Sequence, residues 1–95
     1  MAAYIIVDVQ ITDPTAYERY KAAVPATLAA YGGRFLVRGG AAETLEGDWR
    51  PNRLVVLEFD SDERAKAWWC SHEYAGPKQL RQSASVTNMI VVSGV

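Results

Sequence analysis

Asp8, Arg38, Glu58 and His72 are the side chains with which this chain could carry out acid, base or anion chemistry. Asp8 and Glu58 each sit in a run rich in β-branched and apolar residues, residues 4–11 and 53–59. A carboxylate in such surroundings either meets a cation or is desolvated and becomes a general base with a raised pKa. Arg38 closes a third run, residues 34–38, and offers a planar fork suited to a carboxylate or enolate oxygen. His72 is the one residue whose ordinary pKa lies near neutrality. It stands among Trp68, Trp69 and Tyr74, either as a proton carrier at a pocket mouth or as a plain surface histidine. Trp69 and Tyr20 are the aromatic residues placed to line a pocket beside Arg38.

Each assignment has a structural counterpart. Arg38 would pair with Asp8 or Glu58 as a salt bridge, which lowers a carboxylate pKa instead of raising it. Tyr20 belongs to a helical series with Tyr17, Val24, Leu28 and Tyr31 that packs on a sheet. Trp68 and Trp69 are adjacent, so one packs inward and the other faces a pocket or a partner. Cys70 reads as a small buried apolar residue.

The scaffold follows from the pattern of the chain. Residues 4–11 alternate as a strand, with Ile5, Val7, Val9 and Ile11 on one face and Tyr4, Ile6, Asp8 and Gln10 on the other. Asp13-Pro14 starts a helix, Pro25 is expected to kink or split it, and Gly32-Gly33 ends it. A strand over 34–38 closes at Gly39-Gly40, read as a hairpin bulge, with a bulged extension through 41–45. Glu46-Gly47-Asp48 forms a turn and 53–59 the clearest strand. Ser61 caps a second helix that runs to Trp69 or Cys70, Gly76-Pro77 breaks the stretch after it, and a last strand spans 87–93.

The order is βαββαβ, an α+β ferredoxin-like arrangement. Right-handed crossovers give a four-stranded antiparallel sheet in the order 4-1-3-2. One face lies under the helices. The other carries Leu54, Val56 and Glu58, then Tyr4, Ile6, Asp8 and Gln10, then Arg34, Leu36 and Arg38. Such a face is too apolar to leave in water, so a second copy of the chain is expected to cover it, burying Asp8, Arg38 and Glu58 together.

The whole chain agrees with one small domain over residues 1–95. A chain of this length buries about 60–65% of its unfolded surface, which makes a partner subunit useful. With 49% hydrophobic and 22% charged residues it is globular, and a net charge of -1 with scattered basic residues excludes a nucleic-acid partner. One cysteine and one histidine exclude a disulfide framework and a Cys/His zinc site within the chain. No run is long and apolar enough for a membrane helix, and the first residues lack a basic leader, so a cytoplasmic protein is expected. No signal for a nucleotide, flavin or metal is present, and no cofactor is expected.

Asp13-Pro14 with Tyr17 and Tyr20, Gly32-Gly33-Arg34-Phe35-Leu36-Val37-Arg38-Gly39-Gly40, Glu46-Gly47, the strand 53–59, Trp68-Trp69 and Glu73-Tyr74 resemble the family known as domain of unknown function 1330. The resemblance covers nearly the whole chain. It implies a dimeric α/β barrel, a superfamily that includes cofactor-free monooxygenases, haem-dependent enzymes and dehalogenation or stress proteins. His72 stands where the family commonly has proline, and Trp69 where tyrosine is common. The expectation is therefore a homodimer with a pocket between sheet and partner for a small anionic or carbonyl-bearing molecule. Arg38 would anchor the ligand and Asp8, Glu58 or His72 would move a proton. The alternatives are a pocket that binds without catalysis and a charged cluster that only locks the dimer.

Overall fold

The computed structural model describes residues 1–95 and shows β1 (Ala3–Ile11), α1 (Pro14–Ala30), β2 (Arg34–Arg38), β3 (Arg53–Phe59), α2 (Asp62–Trp69), α3 (His72–Ala84) and β4 (Ser85–Ser93). The four strands form one antiparallel sheet in the order β2-β3-β1-β4, as the pattern predicts. All three helices lie on one side. The core between the layers joins Ile5, Val7 and Val9 of β1, Val55, Leu57 and Phe59 of β3, Tyr17, Tyr20, Val24 and Leu28 of α1, and Ala65, Trp68 and Tyr74 of α2 and α3.

The helix starts are local. Asp13 accepts from the Ala16 amide at 3.2 Å, with Pro14 in the first turn where no amide partner is lost. Ser61 and Ser71 cap α2 and α3 in the same way, accepting from Arg64 and Tyr74. Gly32 lies at φ +71° beyond α1, and the Gly33 amide then closes on the Leu28 carbonyl at 2.9 Å. Gly33 has to lack a side chain for a second reason: a Cβ there would lie 2.6 Å from the ring of Phe59.

Three expectations about this scaffold are corrected. Pro25 lies inside a continuous α1, so of a kink or a split the split does not occur. A proline deprives the carbonyl four residues earlier of its helical partner, and here that carbonyl, on Lys21, accepts from Arg38 Nη2 at 2.7 Å. Likewise Gly76-Pro77 does not interrupt α3, which is capped by Ser71 and held by buried Tyr74, Arg81 and Ala84 on either side of the pair. Residues 41–45 extend no strand. The segment after Gly39 instead runs back as a loop whose Trp49 Nε1 and Asn52 amide both donate to Asp8, at 3.0 and 2.9 Å.

Candidate functional site

The position of Arg38 is set by one extra residue. Arg34 pairs with Glu58 and Phe35 with Leu57, but Val37 pairs with Val56 and Arg38 with Val55. Leu36 is therefore bulged out of the ladder, and the alternation of sides reverses across it. Phe35 and Arg38 both face the helices, while Arg34 and Val37 face away. The expected cluster of Asp8, Arg38 and Glu58 on one face does not form, because the bulge carries Arg38 through to the side of Lys21.

There it meets a different set of residues. A small cavity of about 30 Å³ lies between sheet and helices, lined by Tyr17, Tyr20, Arg38, Arg53, Arg81 and Met89 among others. No aspartate, glutamate or histidine lines it. The three arginines form no salt bridge anywhere in the chain, whereas Arg34 takes both Glu58 and Asp60. Arg81 is only 5% exposed, and the one hydrogen bond of its side chain runs from Nε to the Tyr74 hydroxyl at 3.3 Å. Arg53 Nε is buried with no partner at all. Its guanidinium passes the Tyr17 ring at 5.7 Å and fills the space a Cβ on Gly39 would need. Arg38 stacks over Phe35 at 4.3 Å.

Of the three arginines, Arg81 is buried, Arg53 is half-buried and Arg38 is exposed, and an uncompensated cation inside a protein, as Arg81 is, is costly unless an anion joins it. Around them stand hydroxyls. Tyr20 and Tyr74 share a buried hydrogen bond of 2.7 Å. Burial, followed by the neighbouring Tyr74, pushes the Tyr20 pKa far up, so Tyr20 stays a neutral hydroxyl. The cavity therefore offers arginine and tyrosine donors to an oxyanion, and no carboxylate or imidazole lines it.

The other expected residues lie elsewhere. Glu58 sits on the open sheet face, bound by Arg34 Nη2 and Nε at 2.6 and 2.7 Å. The Glu58 carboxylate beside Tyr4 holds that phenol above its ordinary pKa. Asp8 is on the same face, opposite Leu54, while Glu58 is opposite Tyr4. Four residues of strand separate the two positions, about 13 Å. The Trp49 indole first, and the Asn52 amide second, hold the Asp8 pKa below its usual value. His72 opens α3, exposed, and lines neither the cavity nor any other pocket described here. Tyr20 lines the cavity with Arg38. Of the two tryptophans, Trp68 is fully buried and donates to Thr27 Oγ1 at 3.0 Å. Trp69 is 40% exposed under the Lys78 ammonium and lines a separate open groove of about 610 Å³ beside β4. Cys70 is exposed rather than buried.

Arg53 and Arg81 are the residues the sequence reading overlooked. Arg53 stands in step with Val55, Leu57 and Phe59, so the strand alternation already put it on the core side. Arg81 follows Tyr74 by seven residues and precedes Ala84 by three, a single helical stripe. The stripe is visible only if the helix is taken through Gly76-Pro77.

The model of the family described as "Domain of unknown function (DUF1330)" matches residues 2–95. No curated protein matches the chain in sequence. Among solved structures, the chain is similar to the RPA0582 protein of unknown function from Rhodopseudomonas palustris. Identity is 18%, TM-score 0.77, with 99% of this chain and 82% of that one covered. It is similar to a dimeric ferredoxin-like protein of unknown function from Thermobifida fusca (16% identity, TM-score 0.67, 99% and 92% covered). It is also similar to SnoaB, a cofactor-independent oxygenase from Streptomyces nogalater (11% identity, TM-score 0.66, 99% and 93% covered). At these identities the likeness is one of fold.

Proposed function

The chain belongs to the DUF1330 family, and on that premise we propose that it binds the anionic end of a small organic molecule between its sheet and helices. The observation that carries this reading is the cavity lined by Arg38, Arg53 and Arg81 with no acid on its wall. Guanidinium groups held beside neutral tyrosine hydroxyls suit a carboxylate or an enolate oxygen. The anchor expected of Arg38 is retained, but its companions are two further arginines and Tyr20, not Asp8, Glu58 or His72. The site lies within one protomer and not between the sheet and a partner.

The same reading makes the protein a homodimer. Ile6, Leu54, Val56, Ile90 and Val92 share the open sheet face, with Ile90 58% and Val92 42% exposed. A second copy laid on this face would cover them, and the Thermobifida fusca protein of the same fold is described as dimeric. No helix is long and apolar enough to cross a membrane, and a cytoplasmic location belongs to the proposal.

Amide chemical-shift titration of the full chain with butyrate and with acetoacetate tests the binding site. Shifts are expected around Arg38, Arg53 and Arg81, weakened at least tenfold in Arg53→Gln. Shifts confined to other surfaces would overturn the assignment.

A second reading is cofactor-independent catalysis, favoured by the fold shared with the SnoaB oxygenase and by a cavity suited to stabilising an enolate. Proton removal would then fall to the ligand itself or to solvent, since no carboxylate or imidazole lines the cavity. Mass spectrometry of a bound molecule after incubation separates the two: an unchanged ligand means binding, and conversion lost in Arg53→Gln means catalysis.

A further inference from the structure

The arginine cavity, at about 30 Å³, is too small for a chain or a ring and offers room for a small polar head group alone. The open groove beside β4 is about 610 Å³, inside the range of small-molecule sites. The two spaces share Arg81 and Met89 as lining residues. Arg81 is thus a buried cation, without an acidic partner, standing at the boundary between a cationic hole and a larger groove. That groove is walled by Trp69, Ala65, Ile5, Met89 and Val91, and more than half of its lining residues are hydrophobic.

We infer that the two spaces form one bipartite site for an amphipathic monocarboxylate, with its charged end at Arg81 and its apolar chain or ring along the groove. This rests on the anion-binding reading above and specifies its ligand class. Charge complementarity chooses the occupant: a purely apolar ligand would leave Arg81 uncompensated, and a small bare anion would leave the groove walls wet. No acidic residue lines the groove, and its lining cations are Lys66 and Arg81. Lys78 lies over the Trp69 ring at 3.8 Å, so this groove residue has a cation against one face.

The test is a titration of the full chain with butyrate, hexanoate and octanoate, with the matching primary alcohols as neutral controls, read by amide chemical shifts. The expected dissociation constant falls about fourfold per added methylene, and octanol binds at least tenfold more weakly than octanoate. Val91→Trp, which fills the groove from a partly exposed position, is expected to abolish the chain-length dependence while leaving the butyrate constant within twofold. Arg81→Gln is expected to remove the preference for octanoate over octanol. Should that variant not fold, the Val91→Trp series decides alone. A constant that stays flat from butyrate to octanoate overturns the bipartite site and leaves the arginine cavity standing. Equal binding of octanol and octanoate overturns it as well. If Val91→Trp lowers the oligomeric state and leaves the octanoate constant unchanged, the groove seats a second copy of the chain and the inference fails. If none of the carboxylates binds, the anion-binding reading falls together with it.

Discussion

Arg38 Nη2 donates across 2.7 Å to the backbone carbonyl of Lys21, the carbonyl that Pro25 leaves without a helical amide. The strand side chain substitutes for the missing rung of the helix. This predicts a measurable coupling between two positions that do not touch each other as side chains. Arg38→Met should cost about 1 kcal/mol in the native background, the net worth of one such hydrogen bond. In a Pro25→Ala background the restored amide takes the Lys21 carbonyl, and the same substitution should cost a few tenths of that. A urea-denaturation double-mutant cycle measures the difference. A coupling of zero would show that solvent satisfies the carbonyl equally well.

Thr27 links α1 to the core tryptophan. Its hydroxyl donates to the Val24 carbonyl at 2.7 Å and accepts from Trp68 Nε1 at 3.0 Å, and both Thr27 and Trp68 are buried. Thr27→Val keeps the shape and strands the indole N–H. The expected loss is about 1–3 kcal/mol, read from the urea midpoint. Thr27→Ser retains the acceptor and should recover most of it.

Gly33→Ala is expected to cost about 1–3 kcal/mol by overpacking. The added methyl would enter the ring of Phe59, which is fully buried and stacked 5.7 Å from Trp68. Calorimetry should show a lower melting temperature. Gly76→Ala, in a helix with nothing within 4 Å of the new methyl, should raise it.

The Asp8 pKa is lowered by the Trp49 indole and then by the Asn52 amide. A carboxylate with a depressed folded-state pKa contributes fully above its unfolded value, near 3.8, and loses that contribution as pH falls through the folded one. Between pH 5 and 2 the loop over residues 39–52 should therefore release from β1. The Trp49 indole NMR resonance is expected to move with that titration, and Asp8→Ala should already show its low-pH position at pH 7. An indole shift independent of pH in the native protein would contradict the tether.

The proposed pairing of two open sheet faces makes Val56 a sensitive position, since it is flanked by Ile6 on β1 and Val37 on β2. Val56→Glu would place an unpaired carboxylate in the covered interface. Sedimentation velocity at micromolar concentration is expected to show a dimer for the native chain and a monomer for the variant. A native chain that sediments as a monomer would remove the dimer from the proposal.

Most of the fold was legible because each strand and helix start carries its own mark. The alternation of Ile5, Val7 and Val9 is one, and Asp13-Pro14 and Ser61 are others. The bulge at Leu36 was not. Phe35, Leu36 and Val37 are all apolar, so the pattern reads the same in either register, and pairing with β3 alone decides which side Arg38 takes. Pro25 and Pro77 were overweighted. A proline's local cost is visible in sequence, but the tertiary groups that offset it are not. Of the residues expected to line one pocket, Arg38 and Tyr20 border the small cavity and Trp69 borders the groove beside β4. Arg53 was passed over although its strand phase pointed inward. Arg81 was hidden behind a helix break that does not occur.

In a regular strand, residues four apart lie on the same side, and Arg34 and Arg38 are four apart. The single added residue between them separates two like charges onto two sides of the sheet, one neutralised by Glu58 and Asp60, the other bonded to the Lys21 carbonyl of α1 with no acidic partner. What sorts them is a count, not a chemical difference: both are arginines. A chain shortened by Leu36 would pair as a regular ladder with the two arginines three apart, still on opposite sides. A chain that kept Leu36 but gave it a regular place in the ladder would put both arginines on the outer side with no change of composition or charge.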